Sequence, residues 1–181
     1  MKVYKWKKLN SLIAYSNPWI KVRKDSFELP SKQKTDFFVL ERGEVVAILP
    51  LTNDNEVVLV EQYRPAVNDV TLDLPGGGVE LDRGETPLEA AKRELAEETG
   101  YSAGEFISLG SFYPDSGKSE QIRHIFVARG LIPSDQKLGK TENIGVRKIH
   151  FERLIKMVRD GKLKETTLML ALLLHSCRYK L

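Results

Sequence analysis

Glu85-Thr86-Pro87-Leu88-Glu89-Ala90-Ala91-Lys92-Arg93-Glu94-Leu95-Ala96-Glu97-Glu98-Thr99-Gly100-Tyr101 spells out a helix together with both of its ends. Thr86 takes the N-cap and Pro87 the first helical position, where a missing N–H does no harm. Glu89 stands three residues after the cap and completes a capping box. Gly100 supplies the left-handed stop. Leu88, Ala91 and Leu95 form one stripe expected to face a core. Glu94, Glu97 and Glu98 lie three and four residues apart, so the three carboxylates share one side of the helix and flank that stripe. Each like-charged pair at this spacing destabilises a helix by roughly 0.2–0.5 kcal/mol. Glu97 and Glu98 also crowd the end where the helix dipole disfavours negative charge. A bound cation would offset both effects. With carboxylates and no neighbouring His or Cys, the donor set points to magnesium, or manganese, and away from zinc. The plainer alternative is a solvated acidic face partly neutralised by Lys92 and Arg93.

Working outward, Pro75-Gly76-Gly77-Gly78-Val79-Glu80 precedes the helix, followed by Gly84-Glu85. Glycines let a backbone approach a ligand closely, and a glycine loop feeding a carboxylate helix suits a metal-bound diphosphate. Glu85, seven residues, then Arg93-Glu94-Leu95-Ala96-Glu97-Glu98-Thr99-Gly100-Tyr101 resembles the Nudix box, matching every specified position from Glu85 to Tyr101. The box has glycine where this chain has Val79, so the loop around Glu80-Leu81-Asp82-Arg83 is one or two residues longer than usual. The resemblance implies that Glu94, Glu97 and Glu98 ligate the metal, that Arg93 holds the glutamates in place, and that Glu85 supports the site. The longer loop leaves open which glycine carbonyl meets the metal; Gly77 is the assignment adopted. The implied chemistry is hydrolysis of a nucleoside diphosphate derivative with metal assistance.

Glu61-Gln62-Tyr63-Arg64-Pro65 and Leu72-Asp73-Leu74-Pro75-Gly76-Gly77 look like the ADP-ribose pyrophosphatase branch, with Asp73 in place of the usual glutamate and Gly76 in place of alanine. Pro114, past the box, fits the same branch. The resemblance implies ADP-ribose cleaved to AMP and ribose 5-phosphate. Alternatives are another nucleotide sugar, a nucleoside triphosphate or a dinucleotide as substrate, a Nudix-fold sensor without turnover, or an RNA-end hydrolase. Arg64 is expected to grip phosphate through its planar fork, against a surface ion pair with Glu61 or an acidic loop residue. Trp19 is a candidate to stack on adenine, or else a core residue. The general base is either Glu142 or Glu120, unless both are solvated loop residues. His124, His150 and His175 read as structural or surface residues, and Met157 and Met169 as core filling.

Elsewhere the chain reads as strands over 19–24, 36–41, 45–49, 57–62, 106–113, 122–128 and 147–151, with a hairpin turn at Thr52-Asn53-Asp54-Asn55. Helices are expected where Phe151, Leu154, Ile155 and Val158 recur at helical spacing, closed by Gly161, and over about 166–178. Strands first, one helix inserted and helices last give a mixed α/β (α+β) fold. The resemblance makes it a Nudix-type mixed β-sheet sandwiched between helices with a small N-terminal β-rich extension. A boundary near Gly43 divides residues 1–43, a candidate dimerisation element, from a catalytic domain over 44–181. The early strands look too few to stand alone, and related ADP-ribose enzymes pair through such segments, so a homodimer is expected. At 181 residues, 41% of them apolar, the chain can bury a real core. A net charge of +3 gives little reason to expect nucleic acid, and Lys5–Lys8 reads as a solvated terminus. No run approaches membrane-span length. A single cysteine, Cys177, precludes an internal disulfide and suits a reducing, cytoplasmic setting.

Overall fold

The computed structural model describes residues 3–139 and 142–179. Its backbone divides into two compact units, one of residues 1–43 and 113–122, the other of 44–112 and 123–181.

The smaller unit is an antiparallel three-stranded sheet, β1 (Lys7–Ser16), β2 (Lys21–Glu28) and β3 (Lys34–Glu41), in the order β1-β2-β3. β1 was not expected from the sequence, for a physical reason. Register shifts between Lys8 and Asn10 and between Ile13 and Tyr15 break the period-two pattern by which a strand is recognised. Lys7 and Lys8 therefore belong to a strand and not to a loose terminus. Trp19 is not in a strand as expected. The Asn17 side chain accepts from the N–H groups of Trp19 and Ile20, forming a turn that delays β2 to Lys21. Segment 113–122 joins this unit through Leu40 N–H to the Lys118 carbonyl and the Ser119 hydroxyl to the Leu40 carbonyl.

The larger unit holds β4 (Val45–Pro50), β5 (Glu56–Arg64), β6 (Asp69–Asp73), α1 (Pro87–Thr99), β7 (Tyr101–Phe112), β8 (Arg123–Pro133), β9 (Ile144–His150), α2 (Phe151–Arg159) and α3 (Thr166–Tyr179). Two three-stranded sheets run in the orders β4-β8-β7 and β6-β5-β9. β4 and β8 are parallel and the other pairs antiparallel. Alternation along β4 decides the layering. Val46 and Ile48 join Ala90, Ala91 and Leu95 of α1 in one core cluster, while Ala47 and Leu49 join Leu168, Ala171 and Leu172 of α3 in the other. Phe126 and Ala128 of β8 go to the first cluster, Ile125 and Val127 to the second. Because helices cover both faces, β4 reads as an unbroken apolar run and not as an alternating one. The mixed sheet between helices is thus as expected, and α2 and α3 fall where the spacing put them.

Two local readings need correction. Leu88 is 40% exposed; the buried stripe of α1 is Ala90, Ala91, Leu95 and, continuing it, Glu98 and Thr99. The core begins only one turn into the helix, so its first turn stays in water. β6, unmarked in the sequence, pairs with β5 across the turn at Pro65–Asn68, where Asn68 adopts a positive φ of 51°.

Candidate active site

The site grows from the two ends of α1. At its start, the Thr86 hydroxyl accepts from Glu89 N–H at 3.3 Å and the Glu89 carboxylate accepts from Thr86 N–H at 2.8 Å, the reciprocal box that the sequence implied. At its end, Gly100 takes a φ of 68°. The last carbonyls find partners in the segment after β8: Glu97 accepts from Lys137 N–H at 2.9 Å, Glu98 from the Gln136 side-chain amide at 2.6 Å, and Gly100 from Ser134 N–H at 2.7 Å. A helix end left without donors would be costly. Gln136 satisfies it from an irregular segment that carries no periodic signal, so sequence reasoning missed it.

Arg93 is the hub. Its Nε donates to Glu85 Oε1 at 2.8 Å and its Nη2 to Glu85 Oε2 at 3.1 Å, a two-pronged grip. Nη2 also donates to the Gly78 carbonyl at 2.9 Å, while Nη1 donates to Glu94 at 2.8 Å and Glu97 at 3.2 Å. One guanidinium thus ties the loop before the helix to two of the helix carboxylates. Its pKa is raised, chiefly by the hydrogen bond to Glu85, and the Glu85 carboxyl is correspondingly lowered by Arg93.

The glycine loop lies against the same carboxylates. Gly76 N–H donates to Glu98 Oε2 at 2.8 Å. Pro75 and Gly77 carbonyls accept from Ile48 and Val46 N–H at 2.9 and 2.8 Å, fastening the loop to β4. A Cβ on Gly76 would run into the Val46 carbonyl, and one on Gly77 into the Glu94 carboxylate. Gly76 requires glycine because fixed backbone leaves no room for a Cβ, whereas a Cβ at Gly77 would displace the Glu94 carboxylate. Gly76 had been read as part of the glycine loop and not as a site residue in its own right.

Glu98 is only 9% exposed, and burial pushes its carboxyl up to about 7, with Glu94 and Glu142 adding repulsion. Glu94 is also raised, first by burial, although Arg93 opposes this. Among the described residues, no three acidic, His or Cys side chains converge at ligating distance: Glu94 and Glu97 lean on Arg93, and Glu98 on Gly76. The donor set nonetheless fits a hard cation. It consists only of oxygen atoms, and it contains two carboxylates whose burial is incompletely compensated.

The other candidates divide. Glu142 accepts from Gly139 N–H at 2.7 Å and its charge is felt by both Glu94 and Glu98. Lys140 and Thr141, which precede it, lie outside the described residues. Arg64, at the end of β5, approaches Asp73 Oδ2 at 3.9 Å and acts through space on Glu98. Glu61 pairs with Arg147 instead, at 2.6 Å. Glu120 belongs to the smaller unit, where Arg23 holds it at 2.6 Å. Trp19 is in that unit too, 87% exposed, and is not a core residue.

A sheet between helices, with a glycine loop and an arginine-gripped carboxylate helix, defines a Nudix domain, and a match to the NUDIX domain family model spans residues 41–166: the chain belongs to the Nudix family. Within that family it is a pyrophosphatase, a hydrolase acting on phosphorus-containing anhydrides. Residues 6–40 match a second family, the nucleoside diphosphate sugar hydrolase N-terminal domain. The chain is 32% identical to the methanol dehydrogenase activator of Bacillus methanolicus, over 90% of this chain and 84% of that one. It is 29% identical to the ADP-ribose pyrophosphatase of Bacillus subtilis, covering 81% and 79%. It is also 29% identical to the GDP-mannose pyrophosphatase of Yersinia enterocolitica, covering 83% and 84%. A crystal structure of an ADP compounds hydrolase shares the fold with a TM-score of 0.88 at 22% identity, over 99% of this chain and 97% of that one. Among the described residues, no helix is long and apolar enough to cross a membrane.

Proposed function

We propose that the protein hydrolyses the diphosphate bond of a nucleotide sugar in a magnesium-dependent reaction, with ADP-ribose as the preferred substrate and AMP and ribose 5-phosphate as products. The observation that carries this reading is Glu98, a buried carboxylate with a raised pKa, packed beside the glycine loop and next to Glu94. Glu94, Glu97 and Glu98 would hold Mg2+, or Mn2+ in its place, with Gly77, which lies against the Glu94 carboxylate, as the loop residue beside them. When bound, the cation neutralises the diphosphate and orients it for attack. Arg93 keeps Glu94 and Glu97 in reach and stays anchored by Glu85 as they turn toward a ligand. Arg64 supplies a planar positive charge for a phosphate. Of the two glutamates considered for general base, Glu142 is favoured, because its charge acts on Glu94 and Glu98 while Glu120 is engaged by Arg23. Trp19 offers an exposed ring for adenine to stack on.

ADP-ribose is favoured by the Gln62-Tyr63-Arg64 run and by the ADP-ribose pyrophosphatase relative. A different nucleotide sugar is the second reading, supported by equal identity to a GDP-mannose enzyme. A sensor without turnover has no need of an intact Arg93, Glu94, Glu97 and Glu98 set. The smaller unit exposes Leu9, Leu12, Ile13, Tyr15 and Ile20, apolar groups that a second copy of the chain would cover, so the working form is a homodimer. Light scattering at micromolar concentration is expected to return twice the chain mass; a monomer counts against the pairing. Hydrolysis of a nucleotide panel with magnesium, products identified, tests the rest. Cleavage of ADP-ribose that stops in excess EDTA is expected. Full activity in EDTA overturns the metal mechanism, and cleavage of another nucleotide with none of ADP-ribose overturns the substrate assignment.

A further inference from the structure

On the β4 side of the glycine loop lies a small polar cavity of about 130 Å³, lined by Gly76, Gly77, Arg64, Asp73, Arg123 and Thr167 together with β4 backbone and Leu74. Its polar side chains come from four separate stretches: the end of β5, the end of β6, the start of β8 and the first turn of α3. Arg123 Nη1 donates to the Thr167 hydroxyl. Asp73 accepts from Leu74 N–H at 2.8 Å through one oxygen, while Arg64 approaches its other oxygen only to 3.9 Å, an ion pair without a hydrogen bond. Burial raises the Asp73 carboxyl, and Arg64 and Arg123 offset this from a distance.

We infer that this cavity is the subsite for the hydroxyl-bearing glycosyl group on the far side of the diphosphate. The inference rests on the nucleotide-sugar reading above and adds the residues that select the sugar. Three properties support it. The cavity shares Gly76 and Gly77 with the carboxylate site, so a group attached to a diphosphate there reaches it without a linker. Its lining offers both halves of diol recognition, an acceptor in Asp73 and donors in Arg123 and Thr167. Its volume of about 130 Å³ admits the polar edge of one sugar ring. A site built to hydrogen-bond hydroxyls rejects an analogue that lacks them, because its own polar groups are then left unpaired. Arg123 and Thr167 are therefore specificity-determining residues, distinct from the groups that hold the diphosphate.

The test compares two substrates with the same nucleoside diphosphate, ADP-ribose and an ADP β-alkyl ester without hydroxyls, on wild type, Thr167→Val, Thr167→Ser and Arg123→Gln. Thr167→Val preserves shape, and melting temperatures show which variants are folded. For ADP-ribose, Thr167→Val and Arg123→Gln are expected to lower kcat/KM roughly tenfold to a hundredfold, mainly through KM. Thr167→Ser is expected to recover most of the loss. The alkyl ester is expected to stay within about twofold throughout. Parallel losses on both substrates, or no loss on either, overturn the subsite while leaving the pyrophosphatase reading intact. A wild type that cleaves the alkyl ester but no nucleotide sugar overturns both the subsite and the substrate reading.

Discussion

Two buried carboxylates, one in each unit, meet opposite fates. Asp25 on β2 is 1% exposed, and Glu98 on α1 is 9% exposed. Burial works against either anion. Around Asp25 the Ser11 hydroxyl at 2.5 Å, Lys8 at 2.9 Å and Arg23 at 2.9 Å outweigh it, and the carboxyl falls to about 2. Around Glu98 one backbone N–H and a distant Arg64 do not, and the carboxyl rises to about 7. Burial is therefore not what marks a functional acid. What marks it is burial that the chain's own donors leave uncompensated. The chain's own donors match the Asp25 anion and leave the Glu98 anion unmatched.

Exchanging charge for shape at the two positions should separate them most widely. Glu98→Gln is expected to lower kcat by roughly a hundredfold or more. The metal-free fold should be no less stable, since repulsion from Glu94 and Glu142 is relieved. Asp25→Asn should do the reverse to stability, lowering it by about 1.5–3 kcal/mol through weakened charged hydrogen bonds, as read by urea denaturation. Equal stability losses at the two sites would erase the distinction.

The pH response follows with opposite signs. Glu98 ionises at about 7 in the fold against an ordinary 4.5, so the native state holds a proton that the unfolded chain has lost. Its contribution is full below 4.5 and disappears as pH rises through 7. Asp25 sits at about 2 against 3.8, so its contribution is full above 3.8 and disappears as pH falls through 2. In EDTA the melting temperature of the wild type should fall relative to that of Glu98→Gln between pH 5 and 8, a difference that leaves out His175, whose lowered pKa acts in the opposite direction in both proteins. Magnesium, which binds the ionised form, should stabilise the wild type more at pH 8 than at pH 5. A slope unchanged in Glu98→Gln would remove Glu98 as its source.

The smallest effect concerns the helix that carries Glu98. Thr86→Ala removes the hydroxyl of the capping box and should lower stability by about 1 kcal/mol. The pH slope assigned to Glu98 should persist, because the far end of α1 is held by Gln136 and Lys137. Loss of that slope would mean that the carboxylate site depends on the cap.

The sequence was most informative where local chemistry dictates local structure. Thr86, Pro87, Glu89 and Gly100 marked α1 correctly at both ends, and three and four residue spacing put Glu94, Glu97 and Glu98 on one side. It was least informative where structure depends on distant partners. β1 was hidden by its two register shifts, and β6 by its dependence on β5 for pairing. Leu88 looked like core because periodicity alone does not say where the packed sheet begins. Arg93's contacts with Glu94 and Glu97 are local, but its grip on Gly78 and the N–H of Gly76 on Glu98 arise only when the loop folds back onto the helix. The polar cavity drew on four stretches of chain, and of its polar residues Arg64 alone was a candidate site residue, Asp73 having stood out only as a replacement for the branch's usual glutamate.

Direct titration with Mn2+ tests whether the uncompensated carboxylates of α1 bind the catalytic cation. Free Mn2+ would be followed by its paramagnetic resonance signal, for wild type and Glu98→Gln at pH 7.5, beside turnover of ADP-ribose in the same samples. Saturable binding by the wild type is predicted, weakened at least about tenfold in Glu98→Gln with turnover falling alongside it. Equal Mn2+ affinity in the two proteins, with near-wild-type turnover by the variant, would contradict the account.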